Sequence, residues 1–296
     1  MYTVGDLIAS FGGYLDYFVS TTPIDGNFQN YLATVRLRKA IGNVANALAS
    51  DKFMESLHGT MSGFFRLGRW NLLLPFDQLT AELRRHSRLI ESFDGAKLST
   101  EPLGTGDKLW EVINAMKLTR GKVESEDQKN EDKGKTRLVS GTKALHLLLP
   151  DLVVPIDRKY TGAFFYRYDE DFERDNEQET FRLAFAIFRK IAKVVRPEVY
   201  VGTQRVHANP TKVIDNGIIA FVERARLKLR NDFAEMQTKE MAYSLFENRG
   251  RVDGDDLKDW FEAEAILRAK GGSQPKKPYS KRRRSSEAKV NIPASP

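Results

Sequence analysis

Lys143 and Asp157 are the two side chains whose types and setting best suit chemistry. A deprotonated lysine amine attacks an electrophilic carbon, and a neighbouring carboxylate takes up a proton or stabilises a developing cation. Both lie in one dense stretch running from Arg137-Leu138-Val139-Ser140-Gly141-Thr142-Lys143 to Val153-Val154-Pro155-Ile156-Asp157-Arg158. Other chemistries fail on residue type or spacing. The absence of cysteine excludes disulfides, Cys-ligated zinc, iron–sulfur clusters and thiolate catalysis, and it favours a reducing compartment. His58, His86, His146 and His207 lie far apart with no two-histidine helical pair, so no metal is expected. Gly134-Lys135-Thr136 ends like a phosphate-binding loop, but the glycine required five residues earlier is Lys129. Gly104-Thr105-Gly106 lacks a third glycine and a preceding strand, and Asp253-Gly254-Asp255-Asp256 lacks the alternating ligands and terminal Glu of a calcium loop. No cofactor is expected.

The elements that must position Lys143 and Asp157 are read from apolar spacing. Phe28, Tyr31, Leu32, Val35, Ile41, Val44, Leu48 and Phe53 recur every three or four residues, the period of helices packed on a core. A further helix is expected over 75–93, and another from Lys108 after a Gly104–Asp107 turn, with Trp110 and Ile113 inward. Around Lys143 the sequence predicts a tight turn at Ser140-Gly141, a short helix stopping at Pro150, an extended Val-Val-Pro, and Asp157 capping a helix through Phe165. Phe181, Phe185, Phe188, Ala192 and Val195 make an apolar stripe ended by Pro197; Val199-Tyr200-Val201 could form a strand, and Thr211 caps a helix to about Arg230. Lys212 and Asp215, three apart, read as a surface ion pair. Residues 122–136 are a polar linker and 169–179 an acidic surface loop.

The stretch around Lys143 resembles the core of the helix-hairpin-helix DNA glycosylase superfamily, with Gly141-Thr142-Lys143 and Val154-Pro155-Ile156-Asp157 at the matching places. The resemblance implies Lys143 as amine nucleophile, Asp157 as the stabilising or activating carboxylate, and hairpin amides at Ser140, Gly141 and Thr142 that bind a DNA phosphate beside a flipped base. The sequence departs from the superfamily's Leu-Pro-Gly-x-Gly start, keeping one glycine, and the helix between lysine and aspartate is short; about 30 residues are covered. The same region, with Pro210-Thr211-Lys212-Val213-Ile214-Asp215-Asn216, also resembles uncharacterised bacterial proteins. Read structurally, Lys143 is a solvated helix residue, His146 a partly buried one and Asp157 a helix cap.

Residues 240–270 predict a helical hairpin, with Trp260, Ala263 and Leu267 on one face. The words Ala242-Tyr243, Glu247, Arg249-Gly250 and Asp259-Trp260-Phe261-Glu262-Ala263-Glu264 closely resemble the bacterial Domain-of-Unknown-Function-2934 family, which implies no mechanism. Trp260 and Glu264 would form a docking face for a protein partner, or Trp260 the hairpin's own core. Beyond a Gly-Gly-Ser linker, 271–296 reads as a disordered basic tail, with Lys276, Lys277, Lys281, Arg282, Arg283 and Arg284 as phosphate contacts. That tail holds six of the seven net positive charges of the 296-residue chain.

The expected architecture is therefore mainly α: a multi-helix orthogonal body over 1–239, a helical hairpin over 240–270 and the basic tail over 271–296. No signal peptide or membrane span is visible, so a cytoplasmic, nucleoid-associated bacterial protein is expected. Accessory nucleic-acid binding, with DNA as partner, is the leading functional reading. A glycosylase-like enzyme using Lys143 or Asp157, and a protein-interaction scaffold, are the competitors.

Overall fold

In the computed structural model, residues 3–65, 72–120, 135–157, 159–168, 176–249 and 256–271 are described. Every regular element among them is helical, apart from a single antiparallel bridge between Leu73 and Thr119. The first five helices are α1 (Val4–Ala9), α2 (Phe11–Thr21), α3 (Gly26–Ile41), α4 (Val44–Ala49) and α5 (Asp51–Ser62). Then come α6 (Phe76–Arg85), α7 (Ser87–Glu91), α8 (Thr105–Ala115), α9 (Lys135–Leu148) and α10 (Thr161–Tyr168). The last three are α11 (Glu177–Val195), α12 (Pro210–Asn248) and α13 (Asp256–Gly271). The chain divides into two compact units, 1–226 and 227–296, with the division inside α12.

Local sequence starts these helices where side chains can satisfy free amides. Asp25 caps α3 by accepting from Phe28 N at 2.8 Å, Asn43 caps α4 from Asn46 N at 2.8 Å, and Ser50 caps α5 from Phe53 N at 3.3 Å. Each such cap is worth about 1 kcal/mol. At the end of α11, Arg196 takes a left-handed conformation (φ 53°) and Pro197 forbids continuation. The possible strand at Val199–Val201 is instead part of a single 3-10 turn, Pro197–Tyr200.

In the 1–226 unit, α3 packs along α5, and α8 lies against both α9 and α11. Tyr31, Phe53, Phe164, Phe165 and Phe221 are its largest fully buried side chains. Arg38 is buried with them. Its Nε donates to Leu148 O at 2.8 Å and its Nη1 to Gly42 O at 3.0 Å, so one guanidinium holds the carboxyl ends of α3 and α9, with Asp94 3.3 Å from Nη2. Cations are favoured at helix carboxyl ends by the unpaired carbonyls there.

Two local expectations are corrected around Lys143. No turn forms at Ser140-Gly141, because α9 runs unbroken from Lys135 to Leu148. Gly141 serves a close approach: a Cβ there would lie 2.8 Å from Ile113 Cγ2 on α8. Thr211 does not cap α12 either. Asn209 Oδ1 accepts from Lys212 N at 2.8 Å, with Pro210 in the first helical position, where its missing N–H costs nothing. The helix expected from Lys108 already begins at Thr105, and 135–136 open α9. Of the expected acidic loop, Asn176 caps α11 and Glu177–Glu179 are its first turn. The remainder of both polar stretches lies outside the described residues.

In the 227–296 unit, α13 buries Ala263 and Asp259, and Arg249 is ion-paired with Asp259. Trp260 Nε1 donates to Glu264 Oε1 at 3.1 Å. Tyr243, Leu257 and Phe261 are exposed.

Candidate functional site

The polar centre of the 1–226 unit is assembled from α3, α9, the segment after α9 and the start of α12. His146, on α9, is fully buried. Its Nδ1 lies 2.8 Å from Val153 O, which can only accept, so Nδ1 carries the proton and Nε2 accepts from the Tyr31 hydroxyl at 2.8 Å. Asn209 Nδ2 donates to Tyr31 Oη at 3.1 Å. Thr211 Oγ1 lies 3.0 Å from His146 Nδ1 and 2.7 Å from Pro150 O, to which it donates. Burial depresses the His146 imidazole to about 3, with the Lys212 charge lowering it further against the bond to Val153. Burial also holds the Tyr31 phenol well above its ordinary value, with Asp215 adding to the rise. Both rings are therefore neutral at pH 7, and they stack with their planes 5° apart.

Beside this network sit the charges. Lys212 and Asp215 are 3% and 4% exposed, with Nζ and Oδ2 2.5 Å apart. The expectation of a surface pair is thus overturned. Val213, Ile214, Ile218, Phe221 and Val222 surround the first turns of α12 with apolar side chains, and a helix apolar on all sides lies inside. Burial raises the Asp215 carboxyl, Lys212 opposes that shift, Asp157 adds to it and Lys143 lowers it. Of these charges, Lys212 alone is in direct contact with the Asp215 carboxyl.

Lys143 is 7% exposed, not solvated. Its Nζ donates to Phe65 O at 3.3 Å and stands 5.3 Å from the centre of the Phe65 ring. Asp157 is half-buried; its Oδ1 accepts from Tyr160 N at 2.6 Å, capping the turn into α10. Thr142 fixes the spacing between the two. Its hydroxyl donates to Leu138 O at 2.7 Å and accepts from Ile156 N at 3.2 Å, tying α9 to the residue before Asp157.

Ser140, Gly141 and Thr142, expected as phosphate contacts, are interior helix positions whose amides serve the helix ladder, and Ser140 and Thr142 are buried. The hairpin phosphate site is therefore not formed. Lys276, Lys277, Lys281, Arg282, Arg283 and Arg284 lie outside the described residues. Tyr31, Asn209 and Thr211 carried no sequence signal for a site. For Lys212 and Asp215 the signal was present: two charges set in the apolar run Val213-Ile214 and Ile218-Ile219-Ala220-Phe221.

No group of three or more His, Asp or Glu side chains able to hold a metal lies together among the described residues, and no helix among them is long and apolar enough to cross a membrane. No curated protein and no solved structure matches the chain. Residues 237–269, the end of α12 and nearly all of α13, match the model of a family described as "Protein of unknown function (DUF2934)".

Proposed function

We propose that the protein binds nucleic acid, DNA in the first instance, and that its phosphate affinity resides in residues 271–296. The observation that carries this reading is the charge partition: six of the seven net positive charges fall in that segment, while Lys143 and Lys212 in the body are buried among carbonyl, carboxylate and ring partners. Binding by such a segment is independent of sequence and falls steeply with salt, as displaced counterions return to the phosphates. The test is a salt series with labelled duplex and single-stranded DNA, on the full chain and on a chain ending at Lys270. Loss of binding on truncation supports the reading; undiminished, salt-tolerant binding by the truncated chain refutes it.

A second reading, a glycosylase-like activity using Lys143 or Asp157, is favoured by one observation: the Thr142 hydroxyl accepts from Ile156 N at 3.2 Å, which ties the helix carrying Lys143 to the segment carrying Asp157. An amine and a carboxylate on neighbouring segments are the group types that attack on a sugar C1 requires. Borohydride trapping of the full chain on a duplex carrying an abasic site tests it. A covalent adduct lost in Lys143→Gln, or base release lost in Asp157→Asn, supports this reading; the absence of both an adduct and base release with the folded wild-type chain refutes it.

A further inference from the structure

The second half of α12 presents a row of side chains that alternates apolar and acidic. Leu229, Asp232, Met236, Glu240, Tyr243 and Glu247 follow one another at three- and four-residue spacing, so they share one face of the helix, and all of them are exposed. Leu229, Met236 and Tyr243 are 52%, 47% and 59% exposed. They stand about 10 Å apart along the helix axis, and a carboxylate follows each. On the flank, Lys239 is paired with Glu235 at 2.8 Å.

Such a face is complementary to a basic segment that carries an aromatic ring of its own. The chain supplies one. Lys276-Lys277-Pro278-Tyr279-Ser280-Lys281-Arg282-Arg283-Arg284 contains no carboxylate, has Tyr279 among its cations, and begins five residues after the end of α13. The thirteen residues beyond Gly271 that end at Arg284 reach about 43 Å when extended. The whole of α13 rises about 24 Å, so the segment is long enough to return past the ion pair of Arg249 with Asp259 to the face of α12.

We propose that residues 276–284 dock on this face of α12, their cations on Asp232 and Glu240 and Tyr279 against Met236 and Tyr243. The proposal rests on the nucleic-acid reading above and gives it a regulation: the segment's phosphate contacts are masked by a helix of the same chain, and nucleic acid competes with α12 for them. Tethering holds the segment at an effective concentration of about millimolar, so contacts too weak to retain a free peptide keep it docked. A segment docked for half to nine-tenths of the time binds phosphate about 2- to 10-fold more weakly than a free one.

The chain has no cysteine, so a nitroxide attached to Ser280→Cys reports from one place alone. It is read by NMR as broadening of backbone amide signals in the 15N-labelled full chain at low salt. Expected is broadening of the amides of 236–243 that disappears in the double variant Asp232→Asn, Glu240→Gln and at high salt. That double variant should bind labelled duplex DNA about 2- to 10-fold more tightly than wild type. Tyr243→Ser should do the same, and because it keeps the charge of the chain it separates release of the segment from loss of negative charge. All three positions are exposed, so the core is left intact. Absence of broadening at low salt overturns the docking. Equal broadening between a spin-labelled chain and a separate 15N-labelled chain makes a second copy the occupant and overturns docking within one chain. Broadening with unchanged DNA affinity in Tyr243→Ser overturns the masking. Broadening in a chain that binds no DNA refutes the nucleic-acid reading and leaves the docking, whereas DNA binding lost on truncation at Lys270, without broadening in the full chain, refutes the docking alone.

Discussion

Acid should destabilise the 1–226 unit through one buried ring. His146 is held neutral in the fold with its midpoint near 3, against 6.5 for an exposed imidazole. Between these values the unfolded chain binds a proton that the folded chain refuses, so stability falls as pH drops below 6.5 and the loss is complete near pH 3. Each pH unit is worth 1.36 kcal/mol, so lowering pH from 7.5 to 5.0 removes about 2 kcal/mol through His146. For a unit of this size that corresponds to a melting point lower by about 4–8 °C. Other buried groups add their own slopes: His207 is depressed by burial and acts in the same direction, whereas Asp151 and Asp215 are raised by burial and act in the opposite one. The assay is therefore a difference, urea unfolding of wild type and His146→Asn at both pH values. Wild type should lose about 2 kcal/mol more than the variant. Equal losses would refute the neutral, hydrogen-bonded ring.

Gly141→Ala places a Cβ 2.8 Å from Ile113 Cγ2, and overpacking of this kind should cost about 1–3 kcal/mol in thermal or urea unfolding; a neutral result would mean that α8 and α9 part without cost. Lys212→Met alone strands the Asp215 carboxylate and should cost about 3–5 kcal/mol, while Lys212→Met with Asp215→Leu should recover most of it. A double variant no more stable than the single one would show that the pair is needed beyond its charge.

The helical class was legible because apolar residues recur at helical spacing: Phe28, Tyr31, Leu32 and Val35 on α3, and Phe181, Phe185 and Phe188 on α11, all face the core. The cap at Asp157 was legible because one candidate stood alone there. At Asn209-Pro210-Thr211 the sequence offers two, and the choice fell to Asn209 because the Thr211 hydroxyl is engaged by Pro150 and His146. Gly141 was misread because glycine serves both turns and close helix crossings, and only the presence of Ile113 on α8 tells them apart. Of the candidate site, Lys143 and Asp157 stood out by local pattern. Tyr31 did not, since nothing near it in sequence indicates that it will meet a histidine 115 residues later.

That separation bears on how the protein is made. Tyr31 must find His146 across 115 residues and Asn209 across 178, and Arg38 must find Leu148 across 110. A ribosome that has released the first third of the chain has exposed a phenol whose histidine and asparagine partners do not yet exist and a guanidinium that still lacks the Leu148 carbonyl. Closing such long loops costs entropy before any contact repays it, and folds dominated by distant contacts form slowly. The unit should therefore acquire its polar centre only after Asn209 has emerged, and shorter nascent chains should remain open to proteases until then.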